Sequence, residues 1–245
     1  MKEENVRGLN GNGLKCIAIA AMLIDHIGAV VIEGGLIQEG MPLSLSNIAT
    51  FSSRPFWWRV DLILRLIGRV AFPIFAFLLV EGFLHTRNIK KYGIRLFLFG
   101  LLSEIPFDLA IFQTAFFGGY QNVFFTLFFA LLALAAIRKW ENDKFWWKST
   151  AAVVLCCLCA EMLHSDYGAF GVAFVVLLYI TRQNPFMQCV SGILATIWEL
   201  TAFLAFIPIG LYNGKNGKTS YKYLFYVFYP LHLLVLYGIW RTLFL

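Results

Sequence analysis

Apolar residues in this chain run in long blocks, and the polar residues between them are few and short. Blocks of this kind read as helices. In lipid a helix satisfies its own backbone hydrogen bonds, and the period-two alternation of a membrane barrel is missing. The blocks predict helices over about 14–33, 60–84, 93–112, 122–138, 149–163, 168–182 and 221–243. The stretch 185–211 reads as one long span or as two short ones broken near Glu199-Leu200-Thr201, which gives eight or nine spans in all. Residues 34–59, with Gly34-Gly35, Pro42 and Pro55, read as a loop. Residues 1–13 are polar and rich in Gly and Asn, so a flexible cytoplasmic tail is expected, followed by one transmembrane helical domain over 14–245. The run Leu14–Val31 lacks a small-residue cleavage motif and carries Asp25-His26 inside it, so it reads as a retained helix and not as a signal peptide.

Composition supports an all-α polytopic bundle. Sixty per cent of the 245 residues are hydrophobic and 14% are charged, against about a quarter charged in a soluble domain. The net charge of +6 reads as membrane topology, because no soluble basic face is visible for nucleic acid. Lys2, Arg7 and Lys15 lie in or beside the tail. Arg87, Lys90, Lys91 and Arg95 follow the second helix, and Arg138, Lys139, Lys144 and Lys148 follow the fourth. The turns near 113–121 and 164–167 carry neither Lys nor Arg. Alternate loops are thus basic, which places the N-terminus inside. Lys215, Lys218 and Lys222 fall inside only if 185–211 is split. Cys16, Cys156, Cys157, Cys159 and Cys189 all sit in apolar runs, and read as small helix residues with neither disulfide nor metal site.

Ionisable residues inside these blocks carry the candidate chemistry, because a charge at mid-membrane is costly and by default marks function. Asp25 and His26 lie near the middle of the first helix. Arg65 and Arg69 share a face of the second, and Glu104 and Asp108 a face of the third. Their depths overlap, so a buried polar cluster is expected, serving as a structural ion-pair network or as a site. His26 is the member that exchanges protons near neutral pH. Asp25 points about 100° away from it, which leaves Glu104 or Asp108 to orient the imidazole. A second, basic set is Lys15, Arg87, Lys90, Lys91 and Arg95, with His85 and Asn88 among them. It is the positive-inside signal itself or a cytoplasmic site for a phosphate-rich ligand. A third set is Gln121, Asn122 and His164–Tyr167, read as helix caps and interface polarity or as an outer mouth. His232, beside Pro230 in the last helix, reads as packing at a kink.

Several segments resemble the TraX family of bacterial membrane proteins: Met22-Leu-Ile-Asp-His-Ile-Gly28, the run from Arg65 to Phe83, and His85-Thr-Arg-Asn88. Ser103-Glu-Ile-Pro-Phe-Asp-Leu-Ala110, Asp166-Tyr-Gly168, Leu211-Tyr-Asn-Gly214 and Tyr229-Pro-Leu-His-Leu233 continue the match in order. The founding member is associated with N-terminal acetylation of conjugative pilin subunits. The family is also distantly similar to acyltransferase-3 membrane enzymes, which carry a basic residue and a His at the spacing of Lys15 and His26. Their arginine pair is matched here by Arg95 alone.

The resemblance implies an enzyme of the bacterial cytoplasmic (inner) membrane. It would move an acetyl group from cytoplasmic acetyl-CoA to an amine or hydroxyl acceptor, a pilin or another envelope component. His26 would be the general base and Arg65 or Arg69 the oxyanion partner. Lys15, Arg87, Lys90, Lys91 and Arg95 would hold the CoA phosphates, and no metal is expected. The other readings are a proton-coupled carrier using the same His/Arg/Glu/Asp cluster, and an accessory protein with a structural polar core.

Overall fold

The computed structural model describes residues 8–38, 44–141, 147–215, 217 and 222–245. The tail residues 1–7, Pro42, Lys144 and Lys218 lie outside that range. The described residues form helices joined by short turns, with two isolated β-bridges. In chain order the helices are α1 (Gly11–His26), α2 (Leu45–Ala49), α3 (Phe56–Gly68), α4 (Ala71–His85), α5 (Ile89–Phe112) and α6 (Val123–Trp140). They continue as α7 (Trp147–Met162), α8 (Gly168–Ile180), α9 (Pro185–Thr196), α10 (Phe206–Gly210) and α11 (Lys222–Phe244).

Asparagine starts four of these helices, because its side-chain oxygen accepts a hydrogen bond from a first-turn amide. Asn10 accepts from Gly13 N at 2.9 Å, Asn88 from Lys91 N at 2.9 Å and Asn122 from Phe124 N at 3.0 Å. Asn184 accepts from Phe186 N and Met187 N, with Pro185 at the first helical position. Asn122 caps its helix as the sequence predicts.

The structure corrects the expected elements in four places. First, α1 begins at Gly11, and residues 8–13 are not a loose tail. Leu9 N–H donates to Leu211 O at 2.8 Å, Asn213 N–H to Leu9 O at 2.9 Å and Gly11 N–H to Lys215 O at 2.7 Å. Second, α1 continues beyond His26 as a π-helix, Ile27–Ile37, so the first helical run reaches Ile37 and not 33. Third, the expected helix 60–84 is two helices, α3 and α4, separated at Arg69-Val70. The cause is Pro73, whose ring clashes with the carbonyl four residues back, that of Arg69. Fourth, 185–211 is interrupted at Leu200, where φ is 59° and ψ is −79°. That break falls at the Glu199-Leu200-Thr201 segment singled out above. The twelve residues of α9 reach about 18 Å, short of a ~30 Å hydrocarbon core.

Among the described residues, four helical runs are long and apolar enough to cross a membrane unaided: Gly11–Ile37, Phe56–His85, Val123–Trp140 and Phe225–Phe244. The protein is an integral membrane protein. α4, α6 and α8 are its best-shielded helices, with Ile74, Val80, Phe83, Leu131, Leu134, Val172 and Leu178 sealed from the exterior. α5 and α7 turn Leu98, Leu101, Leu102, Ile105, Leu155 and Leu158 outward. Apolar faces of that extent suit lipid and not water.

Glycine lets α1 and α3 approach closely. A Cβ at Gly68 would stand 2.2 Å from Asp25 Cβ, too close to the backbone for a rotamer change to relieve. Gly68→Ala is therefore expected to lower stability by about 1–3 kcal/mol, read as a drop in thermal unfolding temperature in nanodiscs.

Candidate functional site

The close contact at Gly68 sets the geometry of the site, since it lays the end of α1 along α3. Arg65 Nη1 donates to Asp25 Oδ2 at 2.5 Å. Arg65 Nε lies 3.3 Å from Glu33 Oε1, on the π-helical turn. Arg69, at the break between α3 and α4, reaches Asp25 Oδ1 at 3.9 Å and Glu199 Oε2 at 3.8 Å. All five side chains are mostly shielded. Pairing of this kind offsets a desolvation cost of several kcal/mol per ion. Asp61 is 1% exposed and faces Glu33.

His26 faces a different neighbour. Its Nδ1 lies 2.6 Å from Nε2 of His232 on α11, whose own Nδ1 donates to Phe228 O at 2.8 Å. The two imidazole rings lie 4.9 Å apart at 18°. Tyr229 meets both rings edge-on, at 6.0 Å from His26 and 5.7 Å from His232.

These groups border a cavity of about 480 Å³. Asp25, His26, Glu33, Arg65 and Arg69 form one side. Phe107, Gln113, Tyr120, Asp166 and Tyr167 form the other. The far side is built by a β-bridge between two turns: Gln121 N–H donates to His164 O at 3.1 Å and Asp166 N–H to Gln121 O at 2.8 Å. Tyr120 then donates to Asp166 Oδ1 at 2.9 Å, and Tyr167 stacks on Phe72 at 3.7 Å. Burial raises the Asp166 carboxyl above the usual carboxylate range, opposed by the Tyr120 hydroxyl and by Arg69. Burial likewise pushes the Tyr120 phenol up, helped by Asp166.

Of the six candidate catalytic residues, Asp25, His26, Arg65 and Arg69 meet at this cavity. Glu104 and Asp108 do not line it. Glu104 accepts from the Asn122 backbone N–H at 3.0 Å and from its side-chain amide, and Asp108 accepts from Phe117 N–H at 2.8 Å. The expectation that one of them orients His26 is therefore corrected: they brace the start of α6 and the turn before it, and His232 holds the imidazole. The basic set lies elsewhere. Lys15 sits eleven residues before His26 on the same helix, about 16 Å away, with Nζ 5.1 Å from the Phe225 ring. Arg95 stacks on Tyr92 at 5.5 Å, and Arg87, Lys90 and Lys91 are exposed at the start of α5. Tyr92 meets Tyr226, so Arg95 and Lys15 both lie near the start of α11. His164 is exposed and does not border the cavity. Among the described residues no cluster of His, Cys, Asp and Glu is suited to hold a metal, and the five cysteines are free.

Sequence reasoning missed Glu33, Asp61 and Tyr120 and treated Glu199 only as a break. An acidic residue within an apolar run was the available signal for the first two.

The model of the family described as TraX protein matches residues 10–240. The chain belongs to the TraX family. It is 30% identical to the probable fimbrial assembly protein FimC, serogroup H1, of Dichelobacter nodosus, over 91% of this chain and 92% of that protein. It is 23% identical to Protein TraX of Escherichia coli, over 68% of this chain and 54% of that protein. An uncharacterised Rickettsia prowazekii protein is 23% identical over 83% of this chain and 69% of its own length. No solved structure matches.

Tyr120→Phe removes the phenol that stabilises ionised Asp166, and is expected to cost about 1–3 kcal/mol. A carboxyl raised by folding binds its proton more tightly in the folded chain, so it favours folding at low pH. That contribution is lost as pH rises through its folded pKa. Removing the phenol raises this pKa further, so the penalty should grow with pH above the ordinary carboxylate range. Thermal unfolding across a pH series checks both the size and the sign.

Proposed function

We propose that this TraX-family protein is an acetyltransferase of the bacterial cytoplasmic membrane, passing an acetyl group from acetyl-CoA to an amine or hydroxyl acceptor. The observation that carries this reading is His26, held by His232 at the wall of a polar cavity that two arginines share. His26 takes the proton of the acceptor as the acceptor attacks the thioester carbonyl. Arg69 or Arg65 stabilises the oxyanion that forms. On collapse the carbon–sulfur bond breaks, and the thiolate leaves with the proton that His26 returns. The basic residues Lys15, Arg87, Lys90, Lys91 and Arg95 suit the phosphates of a donor entering from the cytoplasmic face. Lys15 lies about 16 Å from His26 along α1, a distance that the arm of the donor would have to span. The fimbrial assembly name of one relative supports an envelope acceptor of the pilin kind.

A second reading, a proton-coupled carrier, draws on one observation: Asp61 is sealed against Glu33 and holds two oxygens without a donor among the described residues. Buried carboxyl pairs of this sort serve proton relays. Proton flux in proteoliposomes that collapses in Asp61→Asn would favour it.

The enzyme reading is tested with purified protein in nanodiscs and radiolabelled acetyl-CoA, alongside a search for an envelope product whose acetylation is lost on deletion. His26→Ala should keep acetyl-CoA binding and lose transfer by about 10²–10⁴-fold. Undiminished transfer would remove the base role, and absence of acetyl-CoA binding by the native protein would remove the enzyme reading.

A further inference from the structure

Two imidazoles in direct contact must divide their protons, and here the division is fixed by a third atom. His232 Nδ1 is 2.8 Å from the carbonyl oxygen of Phe228. A carbonyl oxygen only accepts, so Nδ1 of His232 carries a proton. In a neutral ring Nε2 of His232 is then a bare lone pair. That lone pair faces Nδ1 of His26 at 2.6 Å, and two lone pairs do not settle at that distance. Nδ1 of His26 therefore holds the proton, and its remaining nitrogen, Nε2, is unprotonated.

Doubly protonating His232 is the other way to fill the contact. It would place a cation on a residue 5% exposed, stacked on Phe228 at 4.8 Å and edged by Tyr229. Burying an unpaired charge among aromatic rings costs far more than keeping the ring neutral. The same rings restrict rotation of the imidazole, so the arrangement is held by packing as well as by hydrogen bonds.

We propose that His232 is the positioning residue of the site, a neutral relay from the Phe228 carbonyl that fixes His26 as the Nδ1–H tautomer and leaves Nε2 as the base toward the cavity. The relay rests on the acetyltransfer reading for its purpose, though not for its geometry. A carboxylate would orient the ring equally well but would add an anion to a cavity already lined by Asp25, Glu33 and Asp166. An imidazole polarised by a carbonyl does the same task without net charge, which suits a site inside a bilayer. When His26 gains a proton at Nε2, its Nδ1–H bond to His232 becomes charge-assisted and strengthens.

The protein has four histidines, so ¹⁵N-histidine NMR in nanodiscs is assignable by single substitutions. At neutral pH, His26 and His232 are both expected to be protonated at Nδ1. His232→Phe keeps a ring but offers no acceptor, and should move the His26 proton toward Nε2. It should also lower transfer from acetyl-CoA by about 100-fold, within the range contributed by a positioned base, with KM for acetyl-CoA unchanged. His232→Gln, which offers an amide oxygen, should restore the Nδ1–H form and part of the rate. An Nε2–H tautomer of His26 in the native protein, or one indifferent to His232→Phe, overturns the relay. The native spectrum decides even if a variant does not fold. The expected tautomers without acetyl transfer would support the relay and remove the acetyltransfer reading.

Discussion

The site depends on the ion pair between Asp25 of α1 and Arg65 of α3. Neither charge is well tolerated alone, because both side chains are mostly shielded from solvent. Gly68 lets the two helices close until the carboxylate meets the guanidinium. Once they are joined, Arg69 lies beside the same carboxylate and reaches Glu199, which ties the broken segment after α9 to the cavity wall. His26 follows Asp25 in sequence, so its direction is set by the helix that the pair anchors. About 100° of rotation between adjacent residues sends Asp25 to the arginines and His26 to α11.

Much of this arrangement was legible in the sequence. Apolar blocks give the helices, and the matching depths of Asp25, Arg65 and Arg69 give the cluster, because uncompensated charges in adjacent spans have few other solutions. The split between α3 and α4 went unread, although Pro73 marks it. What spacing does not reveal is which turn folds back over which helix. Glu104 and Asp108 lie at suitable depths, yet backbone amides of the turns near 117 and 122 reach them first. The bridge between Gln121 and Ser165, which brings Asp166 and Tyr167 to the cavity, joins two loops whose pairing leaves no periodic trace. His232 is separated from His26 by 206 positions, and nothing local distinguishes it from a histidine packed beside a proline.

A polar cavity lies between the helices. The low-dielectric surroundings strengthen every directed interaction inside it. They also penalise each surplus charge, which explains why carboxylates and arginines are interleaved and why the group holding His26 is neutral. Membership of the TraX family and likeness to a fimbrial assembly protein agree with a role at the cell envelope.

The most direct test of this account is a double-mutant cycle on Asp25→Asn and Arg65→Gln, with unfolding followed in lipid nanodiscs. The account predicts a coupling energy of about 0.5–3 kcal/mol, as for residues in contact. The two substitutions adding to within about 0.5 kcal/mol would mean that the pair does not form, and would contradict the geometry on which the site rests.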